Sequence, residues 1–433
     1  LHDELVATQQ IVLYGMNSDI KKMTLPATTP PLLSNEQVLF ILEKASGVAP
    51  YSHEFVPGGL DPQLISGFIS AMTSFVSNLA GSEQTHWKTE YGEDVVFLVE
   101  MGERYAGVLA ITRETNEARS KLRRIVREYE GSFDFTSTKS GRNLKQEAEF
   151  DKFVRRTMIL DRLTENSIIL KPSDYKNKMQ RVSEIKNTAE LARFLENINT
   201  GETLAGVAKS QNVKIDAAAE SVALALWMNL IQVVYVPSSE DILSLSEGSL
   251  TLLLHRNNPM GISSNTIRAV GSFDGRSPLS TYLRNLRPKE IRRTLLELGN
   301  LLNSGYVQRI SIEQRLVLVN ECILNNQLRL GESVLGGSSV RGFLEVAISN
   351  GVELHPWVSR IRVSEKMVVH CELNDSMSTI DLDDMYEALE YLILVVTEQM
   401  QKKSDFDYIQ SASNTARKRC NERWGAYIRD SVV

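Results

Sequence analysis

The strongest constraint on the fold of this chain is that part of it occurs twice. The stretch "NINTGETLAGVAKSQNVKIDAAAESVALALWMNLIQVVYV" lies over "GSFDGRSPLSTYLRNLRPKEIRRTLLELGNLLNSGYVQRI". Gly201 meets Gly275, Leu224 meets Leu298, Asn229 meets Asn303 and Val233 meets Val307, all at one offset. Self-similarity of this kind marks one supersecondary unit used twice. Each copy reads as a glycine turn, a short helix, a second turn, a longer helix and a strand. In the second copy Ile291, Leu295, Leu298 and Leu302 recur at helical spacing and predict an inward stripe.

Upstream, the pattern changes from helical to alternating. "QVLFILEK" and "VAPYSHEF" flank Ala45-Ser46-Gly47 as a hairpin. Asp61 is an N-cap with Pro62 at the first helical position, and Ile65, Phe68, Ile69, Met72, Phe75, Val76 and Leu79 follow at helical spacing to Gly81. Strands are predicted around "THWKTEY", "DVVFLVEMG" and "YAGVLAIT". A closing helix, "NEARSKLRRIVREYE", turns Leu122, Ile125, Val126 and Tyr129 inward. With "LISGFISAMTSF" in its first helix and "VVFLVEMGERYAGVLAIT" in its hairpin, residues 36–132 resemble the roadblock/longin-like domain. That resemblance implies a five-stranded antiparallel sheet with helices packed on it. The two repeats resemble winged-helix domains in tandem.

The expected class is therefore a multidomain α+β protein. Residues 1–35 are an extension with a Pro-rich linker ("LPATTPPLL"), and 133–185 form a polar helical connector. The winged-helix-like repeats occupy 186–238 and 262–312, a helix and flexible "LGGSS" linker fill 313–339, and a small α+β domain covers 340–433.

The order of "RPKEIRRTLLELGNLLNSGYVQRI" is that of a recognition helix followed by a wing. Arg284, Arg287, Lys289, Arg292 and Arg293 lie outside the apolar stripe. From Gly261 to Leu330 ten Lys/Arg stand against five Asp/Glu, in a chain whose net charge is −6. Such an excess is what phosphate contacts require, although solvated charges with i,i+3 pairs such as Glu290–Arg293 produce the same pattern. The first copy argues against DNA: "DAAAESVALALWMN" has no basic residue and is apolar nearly all round, so it predicts a buried helix.

No sequence motif for chemistry is present. G-x-x-x-x-G-K-[ST], G-x-S-x-G, H-E-x-x-H and C-x-x-C are absent, and the six histidines have no mutual metal spacing. His370 and Cys371 are adjacent in a strand-like run and point to opposite faces. "ELNDSMSTIDLDD" reads as an acidic helix start rather than a cation site. Cys322, Cys371 and Cys420 are scattered, fit a reducing compartment and support neither a disulfide framework nor a zinc site. No apolar run reaches ~18 residues, and "DIKKMTLPATTPPLL" is too polar for a signal peptide.

The expectation is a non-enzymatic, cytoplasmic adaptor or regulatory scaffold with no cofactor and no metal. The roadblock/longin-like resemblance implies protein partners, a small Ras-like GTPase among them, and assembly into homo- or hetero-oligomers. The candidate interface is the uncharged face carrying Ser66, Ser70, Thr73 and Ser77, because no charged residue occurs from Pro62 to Gly81. The alternative is a winged-helix transcription regulator that binds DNA and is dimerised by the roadblock-like domain.

Overall fold

Strands whose residues are apolar on both faces belong in the middle of a sheet, and that is where the N-terminal strands lie. The computed structural model describes residues 35–57, 86–91, 95–133, 144–183, 189–246, 261–373, 379–404 and 406–424, with Gly67, Gly248, Ser249 and Leu253 as isolated positions. It divides into two compact units, Leu1–Arg309 and Ile310–Val433.

In the first unit, β1 (Glu36–Glu43), β2 (Tyr51–Glu54), β3 (His86–Tyr91), β4 (Val95–Met101) and β5 (Tyr105–Ile111) form one antiparallel sheet in the order β2-β1-β5-β4-β3. Leu39 pairs with Leu109, and Leu109 with Leu98, across the three central strands. Alternation sends Leu39, Ile41, Leu98 and Leu109 into one core and Val38, Phe40, Phe97 and Val108 into another on the opposite face.

Helix α1 (Asn116–Ser132) starts at Thr115, whose hydroxyl accepts from the Ala118 N–H. Its buried stripe contains Leu122, Ile125, Val126 and Tyr129, as the spacing predicts. Gly107 on β5 is needed here, because a β-carbon would run into the Val126 and Leu122 side chains. Helix α2 (Leu144–Met158) adds Phe150, Val154 and Met158 to this core. Much of the polar stretch after residue 132 is thus built into the sheet domain rather than bridging away from it.

The duplication is visible in the backbone, and it begins earlier than the sequence repeat. The first copy comprises β6 (Ile168–Leu170), α3 (Tyr175–Ser183), α4 (Ala189–Glu196), β7 (Glu202–Thr203), α5 (Leu204–Ser210), α6 (Ile215–Trp227) and β8 (Gln232–Val234). The second comprises β9 (Leu243–Leu245), α7 (Ser264–Val270), α8 (Leu279–Leu283), α9 (Pro288–Asn303) and β10 (Val307–Arg309). In each, the leading strand pairs antiparallel with the strand after the last helix, β6 with β8 and β9 with β10. Each leading strand also meets the start of the short helix: the Leu204 N–H donates to the Ser167 carbonyl (2.9 Å), as the Leu279 N–H does to that of Asp241 (2.8 Å). Gly201 and Gly275 both have positive φ, 83° and 66°.

Two details depart from the sequence reading. The single offset does not survive the last helix, because α6 has 13 residues and α9 has 16. Ile169 pairs with Val233 while Leu243 pairs with Arg309, so Arg309 rather than Val307 is the counterpart of Val233. Asn229 (φ 55°) correspondingly matches Gly305 (φ 70°) as the left-handed residue that ends the helix. Nor does a wing follow the longer helix. The strand after it pairs with a strand that precedes the helices, and beyond Arg309 the chain enters a new helix capped by Ser311.

That helix, α10 (Ile312–Leu335), is a core element of the second unit. The "LGGSS" stretch forms a sharp junction: Gly336 (φ 81°) ends α10, and α11 (Gly337–Leu354) begins at once. The unit continues through β11 (Ile361–Val363) and β12 (Val369–Cys371) to α12 (Thr379–Lys403) and α13 (Phe406–Trp424). Its core includes Leu324, Leu328, Val340, Leu344, Leu389 and Val396. At Gly331 a β-carbon would meet Val340 and Met400 at about 3 Å, so the glycine lets three helices approach. On β12, His370 is exposed and Cys371 buried, on opposite faces as expected.

Candidate functional site

The five basic residues around α9 are brought to one end of the second repeat. Arg284, Arg287, Lys289 and Arg293 are exposed and Arg292 is half-buried. Two of them make contacts within the repeat, Arg287 through its backbone and Arg293 through its guanidinium. The Arg287 N–H donates to the Glu290 carboxylate at 2.9 Å, which closes the start of α9. Arg293 donates to Glu297 at 2.7 Å. Glu297 also accepts from the Ser263 N–H (2.8 Å), the Ser263 hydroxyl (2.7 Å) and the Thr266 hydroxyl (2.6 Å). Burial raises the Glu297 pKa, but these hydrogen bonds outweigh it and hold the carboxyl below its ordinary value.

The far half of α9 is covered. At Gly299 a β-carbon would lie 3.1 Å from Val234 and 3.2 Å from the Tyr235 carbonyl, so the helix sits against the last strand of the first repeat. Asn303 fixes that contact, donating to the Val233 carbonyl (3.1 Å) and accepting from the Tyr235 N–H (3.1 Å).

Its counterpart α6 is enclosed on two sides. Ala218, Val222 and Ala225 lie in the first repeat's core, while Ala223 lies in the core of the sheet domain. Trp227 stacks on His53 of β2, with ring centroids 3.4 Å apart and planes at 6°. Burial lowers the His53 pKa to about 3, and its Nε2 has no hydrogen-bond partner among the described residues. The apolar, base-free sequence of α6 is explained by this double burial.

A buried ionic network, which the sequence does not announce, joins the sheet domain to the segment around Arg162 and to the second repeat. Arg162 lies 2.6 Å from Glu36 of β1 and 3.0 Å from Glu117 of α1, and Lys121 lies 2.8 Å from the same Glu117 carboxylate. Arg309 of β10 pairs with Asp241 at 3.1 Å and donates to the backbone carbonyls of Asp161 and Arg162. Its own N–H donates to Glu117 at 3.3 Å. Burial opposes the Glu117 charge, but Arg162, Lys121 and Arg309 overcome it and hold the pKa well below the usual value. Apart from the i,i+4 pair Glu117–Lys121, these charges are far apart in sequence, and each looks like an ordinary surface residue in its own segment.

Beside this network is a cleft of about 430 Å³ lined by Glu36, Phe55, Met158, Lys178, Leu226 and Tyr235, among others. Burial pushes the Tyr235 hydroxyl up to about 12, so it stays protonated at neutral pH. The cleft has the size and mixed lining of a binding pocket. Its chain continues from Pro57 into residues outside the described set.

Ser66, Ser70, Thr73 and Ser77 lie outside the described residues. Among the described residues no group of three His, Cys, Asp or Glu side chains could hold a metal ion. No described helix is long and apolar enough to cross a membrane. No protein-family model matches the chain, and no curated protein matches it.

Proposed function

We propose that this chain is a non-enzymatic adaptor or regulatory scaffold that binds protein partners through its roadblock/longin-like N-terminal domain. The observation that carries this reading is the burial of α6 between two cores, with Ala223 in that of the sheet domain and Ala218, Val222 and Ala225 in that of the repeat. A helix enclosed in this way joins modules, and the ionic network around Glu117 and Arg162 fixes the same joint. The strand order β2-β1-β5-β4-β3 supports the roadblock/longin resemblance. The candidate partner classes are a small Ras-like GTPase, a second roadblock-like subunit and a second copy of this chain; the candidate location is cytoplasmic.

The test uses the full chain with Ser70→Arg and Thr73→Arg, comparing oligomeric mass by light scattering and binding to purified Ras-like GTPases in both nucleotide states. The scaffold reading expects at least one interaction in the wild type, weakened at least tenfold by either arginine. Wild-type protein that is monomeric and binds none of these GTPases would remove its support.

The exposed cations of α9 favour a second reading, DNA binding by the second repeat. Against it stand the pairing of Arg293 with Glu297 and the absence of a wing after β10.

A further inference from the structure

The second unit brings together two cysteines that are 98 positions apart in the chain. The Sγ atoms of Cys322 on α10 and Cys420 on α13 stand 2.8 Å from each other. That is closer than two sulfurs not bonded to each other normally stand, and much too close for a metal ion to fit between them at a Zn–S distance of about 2.3 Å. Cys420 is 1% exposed, whereas Cys322 is half-buried. The side-chain amide of Asn326, one turn beyond Cys322, points at both sulfurs, with Nδ2 3.1 Å from Cys420 and 3.5 Å from Cys322. An N–H donor aimed at sulfur favours the thiolate, the form that attacks.

We propose that Cys322 and Cys420 form a site of reversible oxidation, which hydrogen peroxide closes to a disulfide. Cys322 is the more exposed of the two and the one assigned to meet peroxide first. Its thiolate attacks one peroxide oxygen, the O–O bond breaks, and the departing hydroxide takes up a proton as water. Cys322 is left as a sulfenic acid. Cys420 then loses its proton as its sulfur attacks that of Cys322; the S–O bond breaks and a second water leaves. Two thiols are oxidised and one peroxide is reduced to two waters. The product ties α13 covalently to α10, next to the bond from the Gln327 amide to the Ser413 hydroxyl (2.6 Å) that already joins the two helices.

The experiment treats the full chain with a small excess of hydrogen peroxide, then unfolds it in urea and blocks remaining thiols with iodoacetamide. Intact mass and non-reducing peptide mapping follow. The expected product has lost two hydrogens, carries a Cys322–Cys420 cross-linked peptide pair as the dominant species, and is restored by dithiothreitol. Cys371→Ser, which removes the third thiol, should give the same cross-link, and Cys322→Ser should give none. The proposal is overturned if Cys322 and Cys420 are both alkylated after peroxide treatment. Accumulation of sulfinic acid at Cys322 with Cys420 still reduced, or a cross-link that runs to Cys371 in the wild type, overturns it equally.

Discussion

Arg309 and Asp241 pair at 3.1 Å with side chains 4% and 0% exposed, where the first repeat has Val233 and Ser167 in the corresponding places. A duplicated framework has thus acquired a buried ion pair in only one of its copies. A buried pair adds little net stability relative to an apolar pair, but losing one partner leaves a charge without compensation. Asp241→Asn should therefore cost about 3–5 kcal/mol in urea unfolding. Arg309→Met should be at least as costly, because it also takes the donor from the Asp161 and Arg162 carbonyls. A single variant within about 1 kcal/mol of wild type would mean that water reaches the pair.

Ala223→Lys places an ammonium in the core of the sheet domain, where Ala223 is 0% exposed. Leu226→Lys does the same at a half-buried position between the two cores. Each should cost several kcal/mol, on the order of 2–5 for Ala223, with aggregation on heating. Leu226→Lys should be the milder of the two, since Leu226 is half-buried and lines the cleft, which gives the ammonium a route out of the core. Melting curves matching wild type for both would show that α6 is not enclosed.

The stacked His53 gives a pH dependence of definite sign. Its folded-state pKa is about 3 against an ordinary 6.5, so between those values the unfolded chain binds a proton that the folded chain does not. Stability must then rise with pH across this window, and it is lost as pH falls from 6.5 toward 3, by up to about 1.4 kcal/mol per pH unit. His53→Phe keeps a ring against Trp227 and removes the titration. Chemical denaturation of both proteins at pH 7.5 and pH 5 should show the wild type losing more than the variant, and parallel losses would contradict the buried neutral imidazole.

DNA binding by the α9 end should be weak and indifferent to sequence. About four phosphate contacts predict a log–log salt slope near −3.6 for the full chain on duplex DNA. Arg284→Ala with Lys289→Ala should reduce that slope by about 2. Tight binding of one sequence at physiological salt, abolished by Arg292→Ala with Arg293→Ala, would instead select the transcription-regulator reading.

The sequence by itself determined what depends on local spacing and periodicity. The inward stripe of α1, the doubly apolar central strands, the two glycine turns and the opposite faces of His370 and Cys371 all follow from side-chain period and backbone preference, which act within a few residues. It also pointed to burial of α6, which is apolar nearly all round, and the structure buries Ala218, Val222, Ala223 and Ala225 while its first turn from Ile215 to Ala217 stays exposed. Tertiary structure alone decided which distant groups meet. The repeats were laid over one another at a single offset, but strand pairing shifted Arg309 into the place of Val233, since helix length rather than letter identity sets where a strand begins. Glu36, Glu117, Asp241 and Arg162 are unremarkable in their own segments, and the cysteines looked scattered. Burial of a charge, or contact between two sulfurs, depends on the three-dimensional packing of segments tens of positions apart or more, and no local pattern records it.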